Sequence, residues 1–366
     1  MKTYVEVLQE AIPGLTAHDL NIPFSESSIH SLDSIILRDA LENYFGFEIP
    51  DTTWLGFNNL SEALGYCNFK RGLQDRPIVP DAKINTQRSQ EIKMPQMANS
   101  ALSENWLLKE MGDMHWEMLS HGLNQKSSEF TDSQGNRLYA AFVRVSYSID
   151  PLNDFHEHEI LQLKGAIKRY GNYAYYSSVK GECNGKSLKA NLMTSFSARK
   201  ANDNSQITKS NPEENVNHVE ELERTPEFYN EHRLFKKGLI NGVQSGKYYF
   251  KNSNATLESS RYTINPHFEI NGVGLLYFAS YPIIADTCAS EFFKTTMEMK
   301  DYDSEYHTVH RDIFYFANCN ASDRIIIKLN DAQLIDDNKL KMTVSMYRES
   351  DNKLMAKLFT VKQKAQ

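Results

Sequence analysis

The sequence predicts a multidomain protein with an all-α bundle of four helices at its N-terminus and an α+β region after it. Three observations support this prediction. Apolar residues recur near helical spacing within residues 1–70, a polar segment containing Pro77 and Pro80 follows, and one long helix followed by several strands then occurs twice. A chain of 366 residues is long enough for two or three domains.

The composition is that of a soluble globular protein. The hydrophobic fraction is 40% and the isoelectric point is about 5.9, so the basic excess of a nucleic-acid binder is missing. No apolar run approaches the roughly 20 residues that span a bilayer. Lys2, Glu6 and Glu10 interrupt the first 14 residues, which excludes the apolar core of a secretory signal. We therefore expect a cytoplasmic protein with neither a nucleic-acid nor a membrane partner.

The four cysteines do not form a metal or disulfide pattern. Cys67, Cys183, Cys288 and Cys319 are far apart and include no Cys-x-x-Cys pair, so we expect buried free thiols. The His and Glu residues of 156–159 alternate along the chain, and we interpret them as a solvated loop. No metal site is predicted.

The segment around Ser34 indicates a covalent attachment site. Asp33 can cap a helix, which would leave the Ser34 hydroxyl exposed in the first turn, although serine beside aspartate is often only a cap. With the apolar helix of 36–45 and the Gly46 to Asp51 segment, Asp33-Ser34-Ile35 resembles the Asp-Ser-Leu motif of acyl carrier proteins. The resemblance implies that a phosphopantetheinyl transferase attaches 4′-phosphopantetheine to Ser34.

Charge separates the same region from the rest. Residues 1–70 carry ten acids and three bases, while residues 71–366 carry 37 of each sign. An acidic helix face would steer the carrier toward basic patches on partner enzymes, although a merely solvated face explains it equally well.

The expected domains are a carrier at 1–70, a linker at 71–91, a first unit at 92–199, a polar connection at 200–221 and a second unit at 222–366. The first unit is predicted to contain a helix from Leu102 to His121 and a strand at 137–149 with Tyr139, Val143 and Val145 on one face. Further strands are expected at 159–167, 173–179, 187–197, 306–317, 324–329, 341–347 and 354–361, with a second helical segment through 283–293. A sheet wrapped around one helix is a hot-dog unit, so the repeat suggests a double hot-dog.

The downstream region also resembles the bifunctional acyltransferase/decarboxylases of polyketide biosynthesis, of the leinamycin-pathway type. The most specific part is Leu-Ser-Glu-Asn-Trp-Leu-Leu at 102–108 with Gly112-Asp113 and His115-Trp116. The resemblance implies that the protein takes methylmalonyl-CoA or malonyl-CoA, places the acyl group on a tyrosine, removes carbon dioxide and delivers propionyl or acetyl to a carrier. Tyr139 fits the position of that tyrosine best, although an interior tyrosine on a strand is often a packing residue.

Decarboxylation of a malonyl thioester develops charge on the thioester oxygen, which calls for preformed donors. Asn271 and Gly272 ahead of the second helix could supply them, as could Asn99 and Ser100 ahead of the first, and Asn271-Gly272 could equally be only a turn. His115 is a candidate base, but its apolar helical stripe favours a hydrogen-bonded core histidine.

Two other functions stay open. The chain could be a hot-dog dehydratase or thioesterase that acts on a carrier-tethered acyl chain, or a carrier fused to an inactive body that docks polyketide synthase modules or other carrier-dependent enzymes. The sequence does not decide between malonyl and methylmalonyl, because one methyl group is worth only about 1–3 kcal/mol in a pocket. It also leaves open whether the carrier is loaded in cis or in trans, and whether the protein is a monomer or a homodimer.

Overall fold

The computed structural model describes residues 3–16, 18–26, 31–74, 84–132, 134–171, 174–200, 203–212, 218–223 and 225–365. The chain divides into two compact units. The first contains Met1–Asp81 and Leu222–Arg233, and the second contains Ala82–Glu221 and Leu234–Gln366. The sequence had assigned 222–233 to the C-terminal unit instead. Among the described residues, none of the helices is both long and apolar enough to cross a bilayer.

The first unit is helical, as predicted. Its helices in the N-terminal segment are α1 (Tyr4–Ala11), α2 (Ser31–Phe45), α3 (Asp51–Trp54) and α4 (Leu60–Gln74). Thr3 begins α1 with a capping box, in which Glu6 bonds back to the Thr3 backbone. The apolar sides of these helices meet in one cluster whose fully buried members are Leu8, Leu37, Leu41, Ile49, Leu60, Ala63 and Cys67.

The second unit consists of long antiparallel strands and two long helices. In chain order its first part contains β1 (Ile84–Glu91), β2 (Met97–Ala98), β3 (Ala101–Leu102), α5 (Glu104–Leu123), β4 (Leu138–Ile149), β5 (Ile160–Tyr170), β6 (Ala174–Cys183), β7 (Lys186–Lys200) and β8 (Asp203–Lys209). Its later part contains α6 (Glu227–Lys236, which begins within the first unit), β9 (Gly242–Ser245), β10 (Tyr248–Lys251), β11 (Glu258–Thr263), α7 (Pro266–Glu269), α8 (Ser280–Thr295), α9 (Tyr302–Glu305), β12 (Tyr306–Tyr315), β13 (Arg324–Asp336), β14 (Lys339–Arg348) and β15 (Lys353–Lys364).

Eleven of these strands form one continuous sheet. Its order is β1-β5-β6-β7-β4-β12-β15-β14-β13-β11, with β8 paired to β7, and neighbouring strands are antiparallel. The two halves join where β4 pairs with β12, so the sequence prediction of two separate sheets is corrected to one. This junction exists because both strands have backbone groups available on the side away from their own half.

The helices α5 and α8 each pack against one half of this sheet. Helix α5 begins at the Ser103 cap and ends at Asn124, whose φ of 47° is left-handed. The order of a long helix followed by strands, predicted twice from the sequence, is confirmed. Gly112 of α5 lies against the segment that precedes α8, where an added Cβ would lie 2.6 Å from Cζ of Phe278.

Three regions differ from the sequence prediction. The predicted linker at 71–91 contains the end of α4 and all of β1. Strand β1 was missed because its side chains are polar, and it is an edge strand whose backbone pairs with β5. The supposed exposed connection at 200–221 contains β8, which extends the sheet through β7. The segment from α6 to the β9–β10 hairpin was not predicted, since its short strands carry little periodic signal.

The alternation along β4 is also corrected. A register shift between Phe142 and Arg144 inserts an extra residue, so the face that packs on α5 changes from even to odd numbers. Val145 lies on the buried helix side as expected, whereas Tyr139 lies on the opposite face. A bulge of this kind has no sequence signature here, because both sides of the strand are rich in apolar residues.

Candidate functional site

Ser34 lies at the end of the first turn of α2 and is half-buried. Helix α2 begins at Ser31, so Asp33 lies inside the first turn rather than at the cap, where its carboxylate still favours the positive end of the helix dipole. The indole Nε1–H of Trp54 donates a hydrogen bond of 2.9 Å to the Ser34 Oγ. This bond orients the oxygen and leaves the hydroxyl proton available, which fits attachment of a prosthetic group.

Tyr139 lies on the sheet face that is turned away from α5, directly opposite Ser197 of β7. It is half-buried, and its hydroxyl has no hydrogen-bond partner among the residues that the structure describes. The guanidinium carbons of Arg137 and Arg199 lie 5.4 and 5.0 Å from the centre of its ring. A phenol with a free hydroxyl and a ring that contacts two cations can act as a nucleophile or as a hydrogen-bond donor to an anionic ligand.

A loop at 271–274 is fastened beside Tyr139 through Arg199. The Arg199 Nη2 donates to the Val273 carbonyl oxygen at 2.5 Å, and the Asn204 side-chain amide donates to the Gly274 carbonyl oxygen. The Nε of Arg199 and the Oδ1 of Asn204 are buried and unpaired within the described part of the chain. This contact therefore leaves one buried donor and one buried acceptor without a partner among the described residues.

The structure thus brings Tyr139 and the Asn271-Gly272 turn into one neighbourhood, although the turn is closed on itself. The Asn271 Oδ1 accepts from the backbone N–H groups of Val273 and Leu275 at 3.1 and 3.0 Å. The turn also lies eight residues before the start of α8, not directly ahead of it. The backbone N–H groups of Asn271, Val273, Gly274 and Leu275 are occupied within the turn, while exposed Gly272 meets nothing within 4 Å of a Cβ position.

Asn99 and Ser100 lie elsewhere, in the two-residue turn between β2 and β3. Both are exposed and left-handed, with φ of 50° and 57°, as a tight hairpin requires. The Asn99 side-chain amide donates to the Asp303 carbonyl. The helix cap is Ser103, so these two residues do not form the first turn of α5.

His115 is fully buried on α5 and lies between two hydroxyl groups. Its Nδ1 lies 2.7 Å from the Ser177 Oγ and its Nε2 lies 2.8 Å from the Thr194 Oγ1. Burial lowers the pKa of His115 to about 3. Because both ring nitrogens have partners and the charged form is disfavoured, the geometry is that of a neutral core histidine.

A charged cluster joins the start of α5 to the middle of α8. Arg311 of β12 contacts Glu104 at 2.7 Å and Asp286 at 3.0 Å, and Lys362 contacts Asp286 at 2.9 Å. Burial raises the pKa of Asp286, but Arg311 and then Lys362 outweigh it and lower that pKa below its usual range. Two cations balance two carboxylates, so the cluster ties α5, α8 and the sheet together without net charge.

A second polar cluster fixes the β9–β10 hairpin to the opposite face of the sheet. Asp312 accepts from Arg144 at 2.7 and 2.9 Å and from the Ser245 Oγ at 2.5 Å. His310 contacts Ser245 at 2.9 Å and Ser148 at 2.8 Å, and burial lowers its pKa to about 4. The carboxylate binds the serine rather than the histidine, so this is not the order of a hydrolytic triad.

Sequence reasoning missed Arg137 and Arg199. Arg137 could have been noticed, because alternation along a strand places it on the same face as Tyr139. Arg199 could not, since its position depends on the pairing of β7 with β4. The residues at 156–159 lie in and beside an exposed turn, where Glu159 binds Lys186, and no group that could hold a metal ion occurs among the described residues.

Comparison with known families identifies the N-terminal region. Residues 5–67 match the family model of the phosphopantetheine attachment site. This domain therefore carries a covalently attached 4′-phosphopantetheine, and it requires a phosphopantetheinyl transferase as a partner. No curated protein matches the chain in sequence.

Solved structures resemble the second unit in fold. A 12:0-ACP thioesterase from Umbellularia californica covers 77% of this chain and 95% of its own, with a TM-score of 0.52 at 8% identity. An acyl-ACP thioesterase from Bacteroides thetaiotaomicron covers 76% and 98%, with a TM-score of 0.50 at 10% identity. A protein described as an oleoyl thioesterase from Lactobacillus plantarum covers 76% and 95%, with a TM-score of 0.53 at 10% identity. The chain therefore joins a phosphopantetheine carrier domain to a large antiparallel sheet with a hot-dog-like fold.

Proposed function

We propose that this protein is a bifunctional acyltransferase/decarboxylase of polyketide biosynthesis, with a double hot-dog body and its carrier domain in the same chain. It takes methylmalonyl-CoA or malonyl-CoA and loads propionyl or acetyl onto the arm at Ser34. The observation that carries this proposal is the joining of a carrier domain to a hot-dog fold, since both handle acyl thioesters. The four cysteines are free and buried, which favours a reducing cytoplasm.

Tyr139 is the proposed nucleophile. Its Oη attacks the thioester carbonyl, the C–S bond breaks, and CoA leaves as the thiol with the phenol proton. The acyl group then loses its carboxylate as carbon dioxide, the electron pair of the C–C bond remains on the α-carbon, and that carbon takes a proton from water. When the arm is present it supplies the thiol that receives the acyl group, and Tyr139 recovers its proton as the aryl ester is cleaved.

The unpaired hydroxyl of Tyr139 supports this role. A tyrosine that served only for packing would be expected to bury its ring and to bond its hydroxyl. Tyr139 instead keeps the hydroxyl free among the described residues and lies between Arg137 and Arg199. His115 has no part in the proposed chemistry because it is buried between two hydroxyl groups, and Asn99 and Ser100 have none because they lie in the turn between β2 and β3.

A thioesterase or dehydratase that acts on the tethered acyl chain is the second candidate. It is favoured by the similar structures, which are described as thioesterases. Such an enzyme needs a base to activate water or to remove an α-proton. Burial lowers the pKa of His115 to about 3 and that of His310 to about 4, so both are weak bases.

Mass spectrometry of the phosphopantetheine-bearing protein separates the candidates. Incubation with methylmalonyl-CoA is expected to add propionyl to the arm of Ser34. Hydrolysis of, or water loss from, a preloaded acyl chain would instead identify the second candidate. An arm that changes in neither experiment would identify a non-catalytic carrier that docks partner enzymes.

A further inference from the structure

Two arginines flank Tyr139 without any acidic partner. Arg137 and Arg199 adjoin the paired residues Leu138 and Ala198 on β4 and β7, so their side chains are on neighbouring strands. Arg137 is exposed and Arg199 is half-buried, and neither forms an ion pair within the described part of the chain. Like charges that face each other across strands destabilise a sheet, so this pair costs stability unless an anion binds between them.

Arg199 is held in a fixed orientation. Its Nη2 donates to the Val273 carbonyl oxygen, and its guanidinium lies 5.0 Å from the Tyr139 ring. Its Nε is buried and has no partner among the described residues. A buried donor on a charged group that lacks a hydrogen bond loses its hydration without replacement, which is unfavourable. An oriented guanidinium with an unused N–H is suited to a carboxylate, because its planar donors match the two oxygens.

We propose that Arg199, assisted by Arg137, binds the free carboxylate of a dicarboxylic acyl thioester and thereby positions the thioester carbonyl beside the Tyr139 hydroxyl. This rests on the proposed function in that Tyr139 is taken as the acyl acceptor. A CoA or pantetheine phosphate is the less suitable anion, because the length of the pantetheine chain separates it from the thioester that Tyr139 would attack. Arg199 is therefore a specificity-determining residue that distinguishes malonyl-type from neutral acyl groups.

The same contact opposes the loss of carbon dioxide. A carboxylate paired with a guanidinium loses that pairing as its charge passes to the α-carbon, so Arg199 stabilises the state before decarboxylation. Its contribution is therefore to binding and acyl transfer. Removal of its charge is expected to weaken the selection of the substrate without slowing the decarboxylation of a group already attached.

The test is equilibrium binding by calorimetry at 0.15 M salt. The full chain carrying Ser34→Ala is titrated with two stable thioethers, S-(2-carboxyethyl)-CoA and S-propyl-CoA, which differ in a carboxylate. We expect a preference of about tenfold or more for the carboxylate, as for a charge-assisted hydrogen bond. Arg199→Gln is expected to bring the ratio near one, because glutamine can still donate to the Val273 carbonyl but has no charge. Arg199→Lys is expected to restore part of the preference.

Two controls make the result specific. Arg324→Gln, an exposed position on β13, is expected to leave the ratio unchanged, and the thermal unfolding of each variant shows that it folds. Equal binding of both analogues by the unmodified site, no binding of either, or an unchanged preference in Arg199→Gln would overturn the proposal. Tyr139→Phe is expected to keep the preference for the carboxylate analogue. If Tyr139→Phe loaded the arm at the wild-type rate while this preference remained, the result would count against the proposed function alone.

Discussion

The pH dependence of stability is expected to report directly on the burial of His115. In the folded protein burial lowers the pKa of this imidazole to about 3, while in the unfolded chain the pKa returns to its ordinary value of 6.5. Between these two values the unfolded state binds the proton and the folded state does not. Acidification therefore favours unfolding, and the stability contributed by a neutral His115 is lost as the pH falls below about 6.5.

The magnitude follows from this shift. Each pH unit within the window changes the free energy of unfolding by about 1.4 kcal/mol for one group. Between pH 7.5 and pH 5 His115 alone is expected to remove about 2 kcal/mol, since the unfolded histidine is almost fully protonated at the lower pH. Burial also lowers the pKa values of His310 and His307, so these two residues add to the loss of stability that the whole protein shows on acidification.

A variant separates His115 from this background. Asparagine at 115 keeps a polar group near Ser177 and cannot take up a proton, so His115→Asn is expected to be less stable at pH 7.5 but to depend less on pH. The difference in free energy of unfolding between pH 7.5 and pH 5, measured by urea denaturation, is expected to be smaller by about 2 kcal/mol in the variant. Equal pH dependence in both proteins would refute a neutral, buried His115.

Two further predictions concern packing and the carrier. Alanine at Gly112 would place its Cβ 2.6 Å from Phe278, which Phe142 backs at a ring-centre distance of 4.1 Å, so we expect a loss of about 1–3 kcal/mol in urea denaturation. The control Gly65→Ala meets nothing within 4 Å and is expected to stabilise α4 by up to about 1 kcal/mol. Attachment at Ser34 is expected to shift the indole N–H resonance of Trp54, and an unchanged resonance in the modified protein would contradict the 2.9 Å contact.

Local patterns were sufficient to predict the long helices α5 and α8 and most of the long strands. Helix α5 was predicted to within two residues at each end because its large apolar residues recur at helical spacing. The polar edge strand β1 was missed because its identity depends on backbone pairing with β5 and not on its own side chains. The bulge in β4, which turned Tyr139 to the other face, likewise depends on its partner strand.

The candidate site was predictable only in part. Ser34 lies in a contiguous motif, so the sequence was enough to single it out. Tyr139 was chosen from a resemblance and expected on the same face as Val145, from which the bulge in β4 separates it. Its neighbour Arg199 comes from a different strand and contacts a distant loop. Contacts between residues so far apart in sequence are a property of sheet topology, which local periodicity does not contain.

The central proposal is that acyl groups reach the arm on Ser34 through Tyr139, and one measurement tests it most directly. The phosphopantetheine-bearing full chain and its Tyr139→Phe variant are incubated with methylmalonyl-CoA, and propionyl on the Ser34 peptide is followed over time by mass spectrometry. Phenylalanine keeps the ring between Arg137 and Arg199 and removes only the nucleophilic oxygen, so loading is expected to fall by at least about 100-fold while the fold is retained. Loading of the variant at the wild-type rate would contradict Tyr139 as the acyl acceptor.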